Sequence, residues 1–241
     1  MLVFSYHCRS KTIDNNMKNI VVATIHQWNI DNFNKWTPPR GYTKHLICDK
    51  KELTRTSLEA LRPSYIFFPH WSWIIPPDVY ENFKCIIFHM TDLPFGRGGS
   101  PMQNLIIRGI YKTKVSAIRA QDKIDTGDVY LKYPFDISSG SAQELFERLS
   151  DISFDMMSEI VKKNPLPRSQ KGKTVVFKRR TPKESRIPQS LNDRKLYDFV
   201  RMLDAEGYPK AFIKNGNHIF EFYNARFEDD VIRADVLIKN K

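Results

Sequence analysis

The chain has 241 residues, of which 41% are hydrophobic, 12% aromatic and 27% charged, a composition that excludes a disordered or fibrous protein. Lysines and arginines number 38 against 27 acidic residues, and the formal net charge of +11 favours an anionic partner such as a nucleic acid, a nucleotide or an anionic cofactor. The three cysteines are too few and too scattered for a disulfide framework or a zinc site, and no apolar run is long enough to span a membrane, so we expect a cytoplasmic protein without metal or membrane segment.

The first half of the chain alternates strand-like and helix-like segments. Residues 1–16 lack the pattern of a secretory signal, and we expect them to form a flexible leader. The predicted strands are 20–25, 45–48, 65–68 and 85–88, and the predicted helices are 28–36, 51–61 and 76–83. This alternation predicts βαβ units and a parallel sheet, in which ligands bind beyond the carboxyl ends of the strands. It draws attention to the loops 24–29, 69–76 and 89–101.

The second half predicts a helix over 101–108, strands over 114–120 and 127–133, and a long helix over 142–163. We expect a catalytic domain over 17–164. Residues 165–190 then read as a basic linker, with a nucleic-acid footprint as the alternative interpretation of its lysines and arginines, and with one predicted strand over 174–177. Residues 191–241 predict a C-terminal extension of one helix and a β-rich tail, with a β-hairpin turning at Asn215-Gly216. The predicted strands of this tail are 211–213, 218–227 and 231–238.

His89 stands at the carboxyl end of the fourth predicted strand, followed by the glycine-rich loop Gly96-Arg97-Gly98-Gly99. A histidine at this position is suited to act as a general base, although a capping or core histidine is the plainer interpretation. The loop can bring backbone N–H groups and the Arg97 guanidinium to an anion, or it can be a simple turn.

Two further segments carry candidate residues. Asp125-Thr126-Gly127-Asp128 is either an ordinary turn or a loop that sets a carboxylate against His89. Trp71 and Trp73 either wall a flat heterocycle or cap the sheet, and the neighbouring His70 has no evident partner in the sequence.

Taken together, these residues form a pattern that is more specific than any one of the segments alone. His89, Leu93-Pro94, Arg97-Gly98 and Pro101, followed by Asp125-x-Gly127, resemble the folate-dependent formyltransferases, as does Ile74-Ile75-Pro76 before the fourth strand. The resemblance covers residues 17–164. The sequence of this chain around Trp71, Trp73 and His89 is most similar to that of bacterial sugar N-formyltransferases.

The resemblance implies an α/β fold with a Rossmann-like formyltransferase domain, a mostly parallel sheet and a small β-rich C-terminal extension. It implies N10-formyltetrahydrofolate as the formyl donor. His89 would match the histidine that helps to deprotonate the acceptor amine, and Asp125 the aspartate that orients it. The implied folate-binding residues are Trp73, Ile74, Ile75, Gln121, Asp122, Lys123 and Ile124, and the implied acceptor-binding residues are Trp28, Asn29, Arg97 and Gly98.

One departure from the family pattern concerns the oxyanion. The family has an asparagine two residues before the histidine, where this chain has Ile87, which cannot donate a hydrogen bond. Losing one such donor costs on the order of 100- to 1000-fold in turnover. Asn104 is our first candidate for a replacement and Gln103 the second; both are also ordinary helix residues. A folate- or nucleotide-binding protein without catalysis is therefore an alternative.

The resemblance leaves two acceptors to weigh. The segment after Asn164 is shorter than the C-terminal β-barrel domain that methionyl-tRNA formyltransferases carry. We therefore expect a nucleotide-linked amino sugar such as dTDP-4-amino-4,6-dideoxyglucose, formylated for a surface polysaccharide. The partners would then be folate and this sugar, without nucleic acid. Methionyl-tRNA is the alternative acceptor, and the net charge of +11 suits it.

The aromatic residues of the C-terminal hairpin bear on assembly. Phe220, Phe222, Tyr223 and Phe227 make the hairpin more apolar than a solvated appendage requires. We expect a homodimer formed partly through this hairpin, the alternative being a hairpin that packs on its own domain.

Overall fold

The computed structural model describes residues 17–240, so the expected leader over 1–16 lies outside the described part. The strands are β1 (Lys18–Ala23), β2 (Tyr42–Ile47), β3 (Pro63–Pro69), β4 (Cys85–His89), β5 (Phe95–Gly98), β6 (Lys112–Arg119), β7 (Val129–Asp136), β8 (Val175–Phe177), β9 (Ala211–Asn215), β10 (His218–Glu228) and β11 (Val231–Asn240). Six of them form the central sheet in the order β2-β1-β3-β4-β6-β7. Strands β1 to β4 are parallel, whereas β6 and β7 run antiparallel to their neighbours. The mostly parallel α/β fold is therefore confirmed.

The helices are α1 (Gln27–Lys35), α2 (Arg55–Leu61), α3 (Pro77–Tyr80), α4 (Pro101–Ile107), α5 (Ala142–Lys163) and α6 (Asp193–Arg201), with a 3₁₀ turn over Pro182–Ser185. Helix α5 has the predicted bounds because both of its ends are marked in the sequence. Ser141 and Glu144 form a reciprocal capping box at its start, and Asn164 ends it in a left-handed conformation. None of the helices in residues 17–240 is both long and apolar enough to cross a bilayer.

The sheet has apolar side chains on both faces. Alternate residues of β1 and β3 point to opposite sides, with Ile20 and Phe67 in one hydrophobic cluster and Val21 and Phe68 in the other. All four are fully buried. Burial on both faces explains why the first strands read as continuous apolar runs rather than as alternating ones.

The segment over 165–190, expected as a basic linker, is instead attached to the catalytic domain. Strand β8 pairs in parallel with β5, which lies in the loop after His89. Close packing at this pair explains Gly98, where a Cβ atom would lie 2.4 Å from the Phe177 carbonyl oxygen. Arg168 also exchanges backbone hydrogen bonds with Val129 of β7. The expectation of a solvated linker is corrected, because these backbone pairings need a fixed path.

The C-terminal residues form a three-stranded antiparallel sheet in the order β11-β10-β9, in which β9 and β10 make the expected hairpin and β11 is the third expected strand. Helix α6 packs on β10, with Tyr197 stacked on Phe227. Arg201, 1% exposed, joins this unit to the rest of the chain by donating to the carbonyl oxygens of Ile137 and Gly140. Its guanidinium also pairs with Asp198 on its own helix.

Candidate active site

His89 lies at the carboxyl end of β4 in the middle of the sheet and is 7% exposed. Its Nε2 atom is 2.8 Å from the Gly96 carbonyl oxygen, and its Nδ1 atom is 3.4 Å from Oδ1 of Asp125. Both neighbours are hydrogen-bond acceptors, and a neutral imidazole can donate to one of them alone. The arrangement is therefore complementary to a ring that carries two protons.

Asp125 reaches His89 from a loop that begins at the other end of β4. Because β6 is antiparallel to β4, Ala120 at the start of this loop donates its N–H to the Cys85 carbonyl oxygen, at 2.9 Å. Asp125 adopts a left-handed conformation with φ of 54°, and its Oδ2 accepts a hydrogen bond of 2.8 Å from the Gly98 N–H. The structure thus brings together the two residues that the resemblance named as catalytic.

Gly127 allows the loop to pass against β6. A Cβ atom there would lie 1.8 Å from the Arg119 carbonyl oxygen, closer than any side chain can approach. The glycine of the Asp-x-Gly pattern is therefore required by the packing of the backbone.

Gln170 is a site residue that the sequence reasoning missed. Its amide nitrogen donates to the carbonyl oxygens of Asp125 and Gly127, at 2.8 and 2.9 Å. Its amide oxygen accepts from Nε and Nη2 of Arg97, at 3.1 and 2.7 Å. Arg97, expected to bind the acceptor, thus has a partner within the protein, and nothing in the sequence linked it to a residue of the supposed linker.

The amides proposed to replace the family asparagine are engaged elsewhere. Nδ2 of Asn104 donates to the carbonyl oxygens of Gly99, Ser100 and Lys178, and its Oδ1 accepts from Arg108. This geometry corrects the expectation for Asn104, whose amide ties α4 to the chain after β8 and has no free donor for an oxyanion. Nε2 of Gln103 donates to the Met202 carbonyl oxygen, at 3.3 Å.

The residues expected to bind folate are largely exposed. Ile74 and Ile124 are 84% and 67% exposed, although both are apolar, while Ile75 is buried. Exposed apolar side chains such as these fit a flat heterocyclic ligand.

The remaining members of this set are placed as follows. Trp73 packs edge-on against Trp71, at a ring distance of 4.9 Å. Gln121 bonds to the Thr126 hydroxyl at 2.6 Å, and Lys123 accepts at its carbonyl from the same hydroxyl. These bonds close the loop on itself.

The loop after β1 meets the loop after β3. Asn29 donates to the Thr24 hydroxyl at 3.0 Å and to the Pro69 carbonyl oxygen at 3.2 Å, so its amide holds the two loops together. Trp28 is buried and stacks on the His26 ring at 4.4 Å.

His70 continues this aromatic cluster toward the C-terminal unit. Its ring lies 4.2 Å from that of His26 and 4.6 Å from that of Phe146, and its Nε2 is 3.2 Å from the Tyr208 hydroxyl. Burial, and then the charge of His26, lowers the pKa of His70 to about 3, while burial alone lowers the pKa of His26 to about 4. Both rings are therefore neutral near pH 7, and neither is suited to take up a proton there.

The sequence matches the formyl transferase family over residues 9–161, which is more than half of the chain. The chain belongs to the formyl transferase family. A second match, to the C-terminal domain of methionyl-tRNA formyltransferase, covers residues 182–239.

Individual relatives agree with this. A solved methionyl-tRNA formyltransferase from Clostridium thermocellum is 49% identical, with a TM-score of 0.90, and the match covers 93% of this chain and 100% of that one. A curated methionyl-tRNA formyltransferase from Campylobacter jejuni subsp. doylei is 25% identical over 174 residues, which is 71% of this chain. The chain spans 56% of the length of that relative.

The sugar acceptor expected from the sequence is wrong. A 4-N formyltransferase from Francisella tularensis is 14% identical with a TM-score of 0.64, over 83% of this chain and 93% of that one, and such a likeness shows the fold alone. The 49% identity is to a methionyl-tRNA formyltransferase. The error came from treating the C-terminal segment as too short, because a helix and three strands suffice to match that enzyme's C-terminal domain.

Proposed function

We propose that this protein transfers the formyl group of N10-formyltetrahydrofolate to the amino group of an aminoacylated tRNA, with methionyl-tRNA as the acceptor. The observation that carries the proposal is the His89–Asp125 pair at the end of β4, in a chain whose C-terminal unit matches the C-terminal domain of methionyl-tRNA formyltransferase. The alternative acceptor of the sequence reasoning thus replaces the nucleotide sugar, and the expectation of no nucleic-acid partner is reversed.

The reaction needs a base for the attacking amine. When bound, N10-formyltetrahydrofolate supplies an activated formyl carbon, and the acceptor nitrogen forms a bond to it while losing a proton. Both ring nitrogens of His89 face hydrogen-bond acceptors. A ring that has lost one proton can donate to one of these acceptors, and it can again donate to both once it accepts the proton of the amine. The Asp125 carboxylate stabilises the resulting positive charge. The proton held by His89 would then be available to the folate nitrogen, which leaves as the carbon–nitrogen bond to the formyl group is broken.

The negative charge that develops on the formyl oxygen needs stabilisation. Ile87 lies on the same face of β4 as His89 and offers no donor, and the amides of Asn104 and Gln103 are engaged. We assign this stabilisation to the positive charge of the protonated His89, in a site where the low exposure of the ring strengthens electrostatic interactions.

The donor site is assigned to the two loops with exposed apolar residues. Trp73, Ile74 and Ile75 would form one side of the site for the pterin ring, and the loop Gln121–Ile124 the other. The exposure of Ile74 and Ile124 supports this, since burial against a ring would remove apolar surface from water.

The acceptor is assigned to the surface beside the β5–β8 pair, where the basic run lies. The basic run consists of Lys171, Lys173, Lys178, Arg179, Arg180, Lys183 and Arg186. The pairing of β8 with β5 fixes this run beside the loop that carries Arg97 and Gly98. A line of positive charge beside the catalytic pair suits the phosphates near the end of a tRNA, and the neutral loop 24–29 would face the aminoacyl group.

Substitution of the catalytic pair tests the proposed chemistry. His89→Asn and Asp125→Asn are each expected to lower the rate of formyl transfer to methionyl-tRNA by about 100-fold or more while leaving the thermal transition intact. Asp230→Asn is the matched control, because Asp230 is exposed and has a similar φ of 57°. If either site variant keeps near-native activity, the assignment of that residue is wrong.

The basic run predicts a second, independent readout. Tight binding of methionyl-tRNA should weaken steeply as salt is added, and Lys178→Ala should reduce the slope of log affinity against log salt by about one unit if it contacts a phosphate. A salt-independent affinity would contradict the assigned path of the tRNA. The expected homodimer and the expected cytoplasmic location stay predictions.

A further inference from the structure

Gln170 holds the catalytic aspartate from outside the catalytic domain proper. It lies in the chain between α5 and β8, and every hydrogen-bonding position of its amide group is used. The orientation of the amide is fixed by chemistry, since the nitrogen faces two carbonyl oxygens and the oxygen faces a guanidinium. The reverse orientation would place three acceptors together.

The contacts of Gln170 converge on Asp125 by two routes. The first is direct, because the Gln170 amide nitrogen bonds to the backbone carbonyl oxygens of Asp125 and Gly127, on either side of Thr126. The second passes through Arg97, whose neighbour Gly98 donates its N–H to the Asp125 carboxylate. Asp125 is therefore held by its backbone and by its side chain.

The backbone of Asp125 needs such support. Its φ of 54° lies in the left-handed region, which a side-chain-bearing residue adopts at a cost of about 1 kcal/mol or more. Without Gln170 two carbonyl oxygens lose their donor, and the loop is free to relax. A small rotation of Asp125 would change the 3.4 Å separation between its Oδ1 and Nδ1 of His89.

We infer that Gln170 is a positioning residue for the reaction, acting on His89 through Asp125 and Arg97. This inference rests on the proposed function for its kinetic consequence, and on the geometry of the loop for its effect on His89. It makes the chain between the helix α5 and the basic run a part of the active site, so that the segment that carries the tRNA-facing charges also orients the catalytic carboxylate.

Two variants separate the roles of the amide. Gln170→Leu removes all four hydrogen bonds, whereas Gln170→Glu keeps an acceptor for Arg97 and places a carboxylate oxygen against the carbonyl oxygens of Asp125 and Gly127. Both are expected to lower kcat by about 10- to 100-fold, with little change in KM for the folate, because a displaced catalytic group costs rate rather than binding. Gln143→Leu is the matched control, a partly buried glutamine whose partners are Glu147 and Glu206.

A double-mutant cycle between Gln170 and Asp125 distinguishes the positioning role from a merely structural one. In an Asp125→Asn background, Gln170→Leu should cost less than threefold, since the residue acts through a carboxylate that is already gone. Equal losses of rate in both backgrounds, or an unchanged kcat in the single variants, would overturn the inference.

A measurement without substrates separates this inference from the proposed function. The ring resonances of His89 in the free protein should titrate at a different pH in Gln170→Leu than in the parent, and should not change in Gln143→Leu. A shifted titration in a protein that formylates no tRNA would support the positioning role of Gln170 and refute the proposed function. An unshifted titration would overturn the positioning role of Gln170, whether or not the protein formylates tRNA.

Discussion

The buried histidine His70 predicts a specific loss of stability in mild acid. Burial, with a smaller effect of the His26 charge, lowers its pKa from 6.5 to about 3 in the folded protein. In the unfolded chain the ring takes up a proton below pH 6.5, while in the folded chain it stays neutral. The unfolded state therefore binds more protons between these values, and the stability that His70 contributes is lost as the pH falls through this window.

The size of the effect follows from the two pKa values. Between pH 7 and pH 5 the unfolded ring goes from largely neutral to almost fully protonated, and the folded ring changes little. At about 1.4 kcal/mol per pKa unit, this difference costs about 2 kcal/mol of the free energy of unfolding. For a protein of this length that corresponds to a fall of about 4–8 °C in Tm.

Urea unfolding at pH 7 and pH 5 measures this loss in the parent and in His70→Gln. The variant keeps a polar group for the Tyr208 hydroxyl but does not titrate, so its unfolding free energy should fall by about 2 kcal/mol less than that of the parent over this range. His218→Gln is the control, since His218 is exposed, and it should follow the parent. If His70→Gln and the parent lose stability in parallel, the reasoning from burial is refuted.

Two further substitutions test packing at named contacts. Gly127→Ala is expected to destabilise the fold by about 3 kcal/mol or more, because its Cβ would meet the Arg119 carbonyl oxygen at 1.8 Å. Gly109→Ala is the control, since a Cβ there meets open space, and it should cost about 1 kcal/mol. Denaturant unfolding measures both losses, and equal losses would contradict the steric argument. Arg201→Met removes a buried partner of Asp198 and should cost about 3–5 kcal/mol in the same assay, and a loss below about 1 kcal/mol would show that the pair is not needed.

Local signals made much of the fold predictable. Helix α5 was predicted with its observed bounds, since an apolar stripe follows its length. Strand β5 was missed, because Phe95-Gly96-Arg97-Gly98 has the composition of a loop and becomes a strand through pairing with β8, far along the chain. A local pattern cannot show such a partner.

The site was predictable to the extent that a motif carried it. His89 and Asp125 were named from their resemblance to a family, and the structure places them 3.4 Å apart. Gln170 was out of reach because a glutamine among lysines gives no signal until its backbone partners are fixed in space. The choice of Asn104 failed for the same reason, since its three carbonyl partners come together in the folded chain alone.

The measurement that bears most directly on the proposed function compares acceptors in one assay. The protein is mixed with N10-formyltetrahydrofolate and either methionyl-tRNA or dTDP-4-amino-4,6-dideoxyglucose, and the formylated amine is quantified by mass spectrometry. We expect formylmethionyl-tRNA to accumulate, with a rate that falls at least 100-fold in His89→Asn, and no formylated sugar. Formylation of the sugar without formylation of methionyl-tRNA would contradict the proposed function.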